Sequence, residues 1–151
     1  MTTRPRVLIV EARFYTDLAD QLYAGAARVL AEAGVAFERQ AVPGCFELPA
    51  AIRFALGDTS SICRYDGFVA LGCVIRGETD HYDHICREVS RALMDLTVAY
   101  RIPLGFGVLT CRTYDQARAR AATDRKNKGA EAAAACLRMM ELKRLPSAVP
   151  A

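Results

Sequence analysis

Gly67-Phe-Val-Ala-Leu-Gly-Cys-Val-Ile-Arg-Gly-Glu-Thr-Asp-His-Tyr-Asp-His-Ile-Cys86 changes character at its middle. It begins as a continuous apolar run, which is how a strand buried on both faces reads. It breaks at Arg76-Gly77 and resumes with helical spacing. A strand that runs into a turn and then a helix places the polar junction at the carboxyl edge of a sheet. In open α/β sheets that edge is where ligands bind. The junction here holds Arg76, Glu78, Thr79, Asp80 and His81, a dense set of reactive groups.

Working outward, the chain on both sides repeats the same grammar. Val7-Leu-Ile-Val10 is a β-branched run and predicts a first strand, followed by a loop over residues 11–15. Leu18, Leu22, Ala26, Val29 and Ala33 recur at helical spacing until Gly34 stops them. Residues 35–42 alternate as a second strand, Pro43-Gly44 punctuates it, and Pro49 suits the first turn of a short helix over 49–56. A polar loop covers 57–61, and the third strand covers 67–74. A helix over about 80–100 carries Ile85, Val89, Leu93 and Leu96 on one face. Residues 103–110 form a fourth strand. Thr113-Tyr-Asp-Gln116 is a capping box that opens a further helix, which continues to Ala122. Asn127-Lys-Gly129 interrupts, and an Ala-rich helix covers about 130–142. Residues 1–6 and 145–151 read as loose termini. Four strand–helix alternations without a hairpin signal argue an α/β domain, a parallel sheet with helices on both faces, over the whole of 1–151.

Composition narrows the function classes. The 151 residues are 52% apolar and 25% charged, enough for one full core. The net charge of +3 is small and the basic residues are scattered, so nucleic acid is not an expected partner. No apolar run approaches the roughly 20 residues that span a bilayer, and no signal-peptide pattern leads the chain, so the cytoplasm is the expected compartment. Cys45, Cys63, Cys73, Cys86, Cys111 and Cys136 form no Cys-x-x-Cys pair and are expected to be reduced, small, buried hydrophobes. With only His81 and His84 available, no metal site is expected.

Four loops should open on the same sheet edge. Phe14 and Phe46 stand in two of them, where an aromatic either stacks on a planar heterocycle or covers a helix end. Gly44 permits close backbone approach, and Glu47 can accept hydrogen bonds or simply complement a helix N-terminus. Gly77, Glu78 and Thr79 precede a helix, where free N–H groups make an anion pocket that can coexist with capping by Thr79. A histidine in that first turn, His81, can accept a proton near pH 7 or be structural. Arg120, Lys128 and Glu131 gather round the last helical break, as a second anion contact or as a solvated charge set.

Taken jointly, Ala12-Arg-Phe14, Val42-Pro-Gly-Cys-Phe-Glu-Leu-Pro49, Gly72-Cys-Val-Ile-Arg-Gly-Glu-Thr-Asp-His81 with Tyr82, Phe106-Gly-Val-Leu-Thr110, Gln116-Ala, Arg120-Ala and Asn127-Lys-Gly129 resemble the lumazine synthase family in order and spacing. The resemblance implies a flavodoxin-like sheet of order 2-1-3-4. It also implies condensation of 5-amino-6-(D-ribitylamino)uracil with 3,4-dihydroxy-2-butanone 4-phosphate to 6,7-dimethyl-8-ribityllumazine, a step of riboflavin biosynthesis that uses no cofactor. On that resemblance Phe14 stacks on the pyrimidine, while Cys45, Phe46 and Glu47 hold its polar atoms and ribityl chain. Val74 and Ile75 line the ring slot. Gly77, Glu78 and Thr79 meet the phosphate with Arg120, and His81 moves the proton. Phe106 and Lys128 match residues that a neighbouring subunit supplies, which implies a homopentamer and, beyond it, a possible higher assembly. Cys45 replaces a smaller residue, Glu78 stands at a position that is often small, and residues 123–126 lack a glycine of the family's assembly loop. Storage of a flavin or lumazine, or a shell role, are the non-enzymatic alternatives.

Overall fold

The computed structural model describes residues 4–58 and 63–145; the expected loop at 57–61 and the expected loose ends lie partly outside them. Four strands, β1 (Arg6–Ala12), β2 (Ala36–Val42), β3 (Gly67–Ile75) and β4 (Leu104–Cys111), form one all-parallel sheet of order β2-β1-β3-β4. Between and after them run α1 (Thr16–Glu32), α2 (Leu48–Leu56), α3 (His81–Tyr100), α4 (Tyr114–Ala121) and α5 (Lys128–Arg144). This is the α/β architecture and the strand order expected from the sequence.

The sheet divides the core in two because successive side chains alternate across it. Val7, Ile9, Val69, Leu71 and Leu109 face α1, α4 and α5, whose Leu18, Leu22, Leu30, Ala117, Ala133 and Met140 complete that layer. Leu8, Val10, Phe68, Ala70 and Val108 face α2 and α3 and pack on Leu48, Ile52, Val89 and Leu93. Full burial of one such Leu, Ile or Phe side chain contributes about 1.5–3 kcal/mol, so the two layers together hold the sheet edge rigid. All four strands end on that edge, at Ala12, Val42, Ile75 and Cys111.

Arg6, expected in a loose terminus, opens β1, and the Pro5 carbonyl before it accepts from the Ala36 N–H. Two further boundaries differ from the sequence reading, each for a packing reason. Glu11 and Ala12 belong to β1 and not to a loop. Glu11 pairs with Ala41 on one side and Leu71 on the other, and its charge is neutralised in place. Lys128 and Gly129 open α5 instead of preceding it, with Asn127 in the left-handed region as the N-cap residue (φ 49°). Gly129 is not a breaker here. A Cβ at that position would stand 2.1 Å from the Leu22 backbone oxygen, so its absence lets α5 lie directly on α1. Gly129→Ala is therefore expected to cost about 1–3 kcal/mol of stability through overpacking, read as a lower urea midpoint with an unchanged slope. An unchanged midpoint would mean the two helices part without cost.

Candidate active site at the carboxyl edge of the sheet

The loops that follow β1, β2 and β3 surround a groove of about 630 Å3. Phe14 comes from the β1–α1 connection, and Phe46 from a single 3-10 turn, Cys45–Glu47, between β2 and α2. Their rings are 73% and 63% exposed, so neither serves to cover a helix end. Among the rings of the described residues, Phe14 meets the edge of Tyr15, with centroids 4.9 Å apart and planes at 81°. Val74 and Ile75 form the floor as the last residues of β3, and His81 closes the far side at the first turn of α3. Glu47 lies half-buried on the wall, and its carboxylate takes no hydrogen bond from the described residues.

Cys45 is pinned against the sheet where β3 has Gly72; a Cβ there would come within 2.6 Å of the Cys45 sulfur. Burial pushes the Cys45 thiol up to about 12, and the neighbouring Cys73 thiol likewise to about 12. Both are protonated at neutral pH and act as apolar wall, not as nucleophiles. Burial likewise raises the phenol of Tyr15, which also lines the groove.

At the start of α3 the N-cap residue is Asp80, not Thr79 as the sequence reading allowed. Asp80 sits in the cap position with its carboxylate 3.0 Å from His84 Nε2, one helical turn on. The Thr79 hydroxyl still contributes, accepting from the His81 backbone N–H at 3.3 Å. Within the described residues, the backbone N–H groups of Gly77, Glu78 and Thr79 find no acceptor, and all three residues are exposed. Unsatisfied N–H groups ahead of a 20-residue helix suit an anion. Glu78 forms no ion pair among the described residues, so its side chain is free to turn to solvent. His84 is engaged by Asp80, whereas no described group hydrogen-bonds the His81 ring.

The remaining candidates line a second groove, of about 590 Å3, between β4, α4 and α5. Phe106 points out of edge strand β4 and is 46% exposed. Arg120 stands in the last turn of α4. Thr113, the N-cap, accepts from the Gln116 N–H at 3.1 Å as a capping box expects, but the Gln116 Oε1 accepts at 2.9 Å from the N–H of Arg112, one residue before the N-cap. The Arg120 guanidinium donates to the Gln116 carbonyl at 3.2 Å and meets no carboxylate among the described residues. Lys128 is paired with Glu131 at 2.7 Å.

The residues singled out in the sequence fall into two groove-lining sets, while Gly77, Glu78 and Thr79 line neither groove and lie exposed on the β3–α3 connection. Phe14, Cys45, Phe46, Glu47, Val74, Ile75 and His81 line the first groove, and Phe106, Arg120, Lys128 and Glu131 line the second. One chain does not bring the two sets into one cavity. Tyr15, Cys73 and Ile85 also line the first groove and were not picked out. Ile85 could have been, since it stands four residues after His81 on the same helix face.

The model of the family described as 6,7-dimethyl-8-ribityllumazine synthase matches residues 4–144. A protein of Paramagnetospirillum magneticum named 6,7-dimethyl-8-ribityllumazine synthase is 53% identical over 142 residues, covering 92% of this chain and 95% of its own length. One of the same name from Agrobacterium fabrum is 52% identical over 143 residues, covering 94% and 97%. A third, from Bartonella bacilliformis, is 51% identical over 140 residues, covering 93% and 91%.

Proposed function

The chain belongs to the 6,7-dimethyl-8-ribityllumazine synthase family, and from that membership we propose how its own residues carry out the condensation. The reaction joins 5-amino-6-(D-ribitylamino)uracil to 3,4-dihydroxy-2-butanone 4-phosphate and yields 6,7-dimethyl-8-ribityllumazine, phosphate and water, in riboflavin biosynthesis. What carries the reading is the convergence round one groove of an uncovered aromatic ring with a carboxylate and a histidine ring that take no hydrogen-bond partner among the described residues.

The pyrimidine stacks on Phe14 and slides along the Val74–Ile75 backbone, with Glu47 and the turn at Cys45 and Phe46 accepting and donating to its ring and ribityl groups. The butanone phosphate lies with its anion at Gly77, Glu78 and Thr79, contacting the backbone of Glu78 while that side chain turns away. The amine attacks the ketone and water leaves to give the imine; loss of the C3 proton and of phosphate from C4 gives an enol that ketonises to a new C3 carbonyl, and attack of the ribitylamino nitrogen there closes the ring and releases that oxygen as a second water. Each step moves a proton, and His81 carries it. Holding both reactants in one slot supplies much of the acceleration, up to roughly 7–11 kcal/mol in favourable systems. The protein groups suffice for this chemistry as proposed.

Two half-lined grooves on one chain also support a homo-oligomer. The second groove, with Phe106, Arg120 and Lys128, completes the first groove of an adjacent copy, and closure of such a head-to-tail contact gives a ring, here a homopentamer. The chain acts as one domain and in the cytoplasm. Among the described residues no helix is long and apolar enough to cross a membrane.

The deciding assay follows lumazine fluorescence after the two substrates are mixed with the protein. A storage or shell protein would bind ligand or assemble but give no product. His81→Ala is expected to lower kcat by about 100-fold with assembly intact, because the proton carrier is lost while positioning remains. Full activity in that variant would remove His81 from the mechanism.

A further inference from the structure

Glu11 is the one charged residue among those described that is fully buried, at 1% exposure, and it lies outside the groove. It stands one residue before the end of β1, on the sheet face that carries Val7 and Ile9 and looks toward α1. Both of its oxygens are engaged. Oε1 accepts from Arg13 Nη1 at 2.7 Å, and Oε2 accepts from Arg39 Nε at 2.6 Å. Arg39, from β2, lies over the ring of Tyr23 of α1, 3.5 Å from its centroid. The other guanidinium nitrogen of Arg13 donates to Asp20, also of α1. The Arg13 backbone N–H reaches the Val42 carbonyl at 3.3 Å. Arg13 is therefore tied to the sheet interior, to the end of β2 and to the first helix at once. Asp20 and then Glu11 hold its guanidinium charged, raising it above its already high range.

The residue after Arg13 is Phe14, whose side chain is largely uncovered. Its ring is 73% exposed, and its one aromatic contact among the described residues is the edge of Tyr15. Its direction is set by the chain that precedes it. A buried ion pair is weak support for stability, since apolar residues of similar volume do as well or better, so four charged groups at this strand end call for another role. The polar set fixes a geometry that apolar packing would leave free to slide.

We propose that Glu11 is a positioning residue for pyrimidine binding: by clamping Arg13 against β1 and α1 it holds Phe14 at the groove mouth in the attitude that stacks on the ring. This rests on the stacking role given to Phe14 above. Glu11 touches no reactant. Its influence is confined to the pyrimidine side, because the phosphate end of the site is built from α3 and the second groove.

The test titrates 5-amino-6-(D-ribitylamino)uracil alone into the full-length protein, wild type against Glu11→Gln, which keeps the volume and removes the charge. The dissociation constant is expected to rise about 5- to 10-fold, the scale of a sub-ångström misplacement of a binding group. The KM for butanone phosphate and kcat at saturating pyrimidine stay within about twofold, which a general loosening of the fold would not allow. In a Phe14→Ala background the same substitution has no further effect, since the ring it positions is gone. A folded Glu11→Gln protein that binds the pyrimidine as wild type does, or a loss that adds in full to that of Phe14→Ala, overturns the clamp. Should Glu11→Gln fail to fold, Asp20→Asn at the exposed end of the same clamp is expected to weaken binding about 2- to 3-fold with the same selectivity; an unchanged constant there also overturns it. Wild-type protein that makes no lumazine, or a Phe14→Ala variant that binds the pyrimidine normally, would instead strike the reading of the site itself.

Discussion

Replacing Arg120 by Ala is expected to lower kcat/KM by about 1000-fold, mainly through KM for butanone phosphate, while pyrimidine binding persists. The expectation follows from how the charges of the second groove are settled. Lys128 is drawn onto Glu131 at 2.7 Å, so its charge is largely answered from within its own helix. Arg120 meets no carboxylate among the described residues and donates only to the carbonyl of Gln116, four residues back. A guanidinium in a groove, with most of its N–H groups unused among the described residues, is suited to a bidentate phosphate contact. The same contact would suit the leaving group, since charge on phosphate grows as the carbon–oxygen bond breaks. Arg120→Lys keeps the charge and loses the fork, and should recover only part of the activity, staying about 10-fold below wild type. Steady-state kinetics with each substrate varied in turn separates these effects. A normal KM for butanone phosphate in Arg120→Ala would end the phosphate role.

The contrast between Arg120 and Glu11 shows what a sequence exposes and what it hides. Strand-to-helix junctions are legible because one property changes at one place. The apolar run to Ile75, the break at Arg76-Gly77 and the helical spacing after it need no distant partner to be read. The cap at Thr113 is local in the same sense: its hydroxyl accepts from the Gln116 N–H as expected, although the Gln116 side chain accepts from Arg112 and not from Thr113. Glu11 fails that test. An acid directly after Val7-Leu-Ile-Val10 reads as the end of a strand, and only Arg39, 28 residues away, and Arg13 together make its burial tolerable. Gly129 fails it too. The glycine that looks like a break is a contact surface for Leu22 on another helix. The same limit applies to the site. Each candidate residue is recognisable in order along the chain, but the division into two grooves follows from α4 and α5 packing on one face of the sheet over β3 and β4, while α2 and α3 cover the other face. That is a property of topology, not of any local stretch.

If the two grooves are halves of one site, two inactive variants should repair each other. His81→Ala damages the first groove and leaves the second intact, and Arg120→Ala does the reverse. Each alone is about 100- to 1000-fold impaired. Co-expressed in equal amounts, they assemble at random, and a site between neighbours takes its first groove from one chain and its second from the next. About one site in four then receives both intact halves, so the mixture should recover about a quarter of wild-type activity. A site contained within a single chain gives no such recovery, because every chain carries one lesion. A control removes the chance that mixing merely improves folding. Wild type co-expressed with the chain carrying both substitutions should also fall to about one quarter for a shared site, against about one half for a self-contained one. The two mixtures therefore converge on the same value only when neighbouring chains build the site together. Recovery absent from the first mixture, with the second at one half and both assembling normally, would require each chain to bring Arg120 to His81 by itself, across a separation that the fold of the single chain does not close.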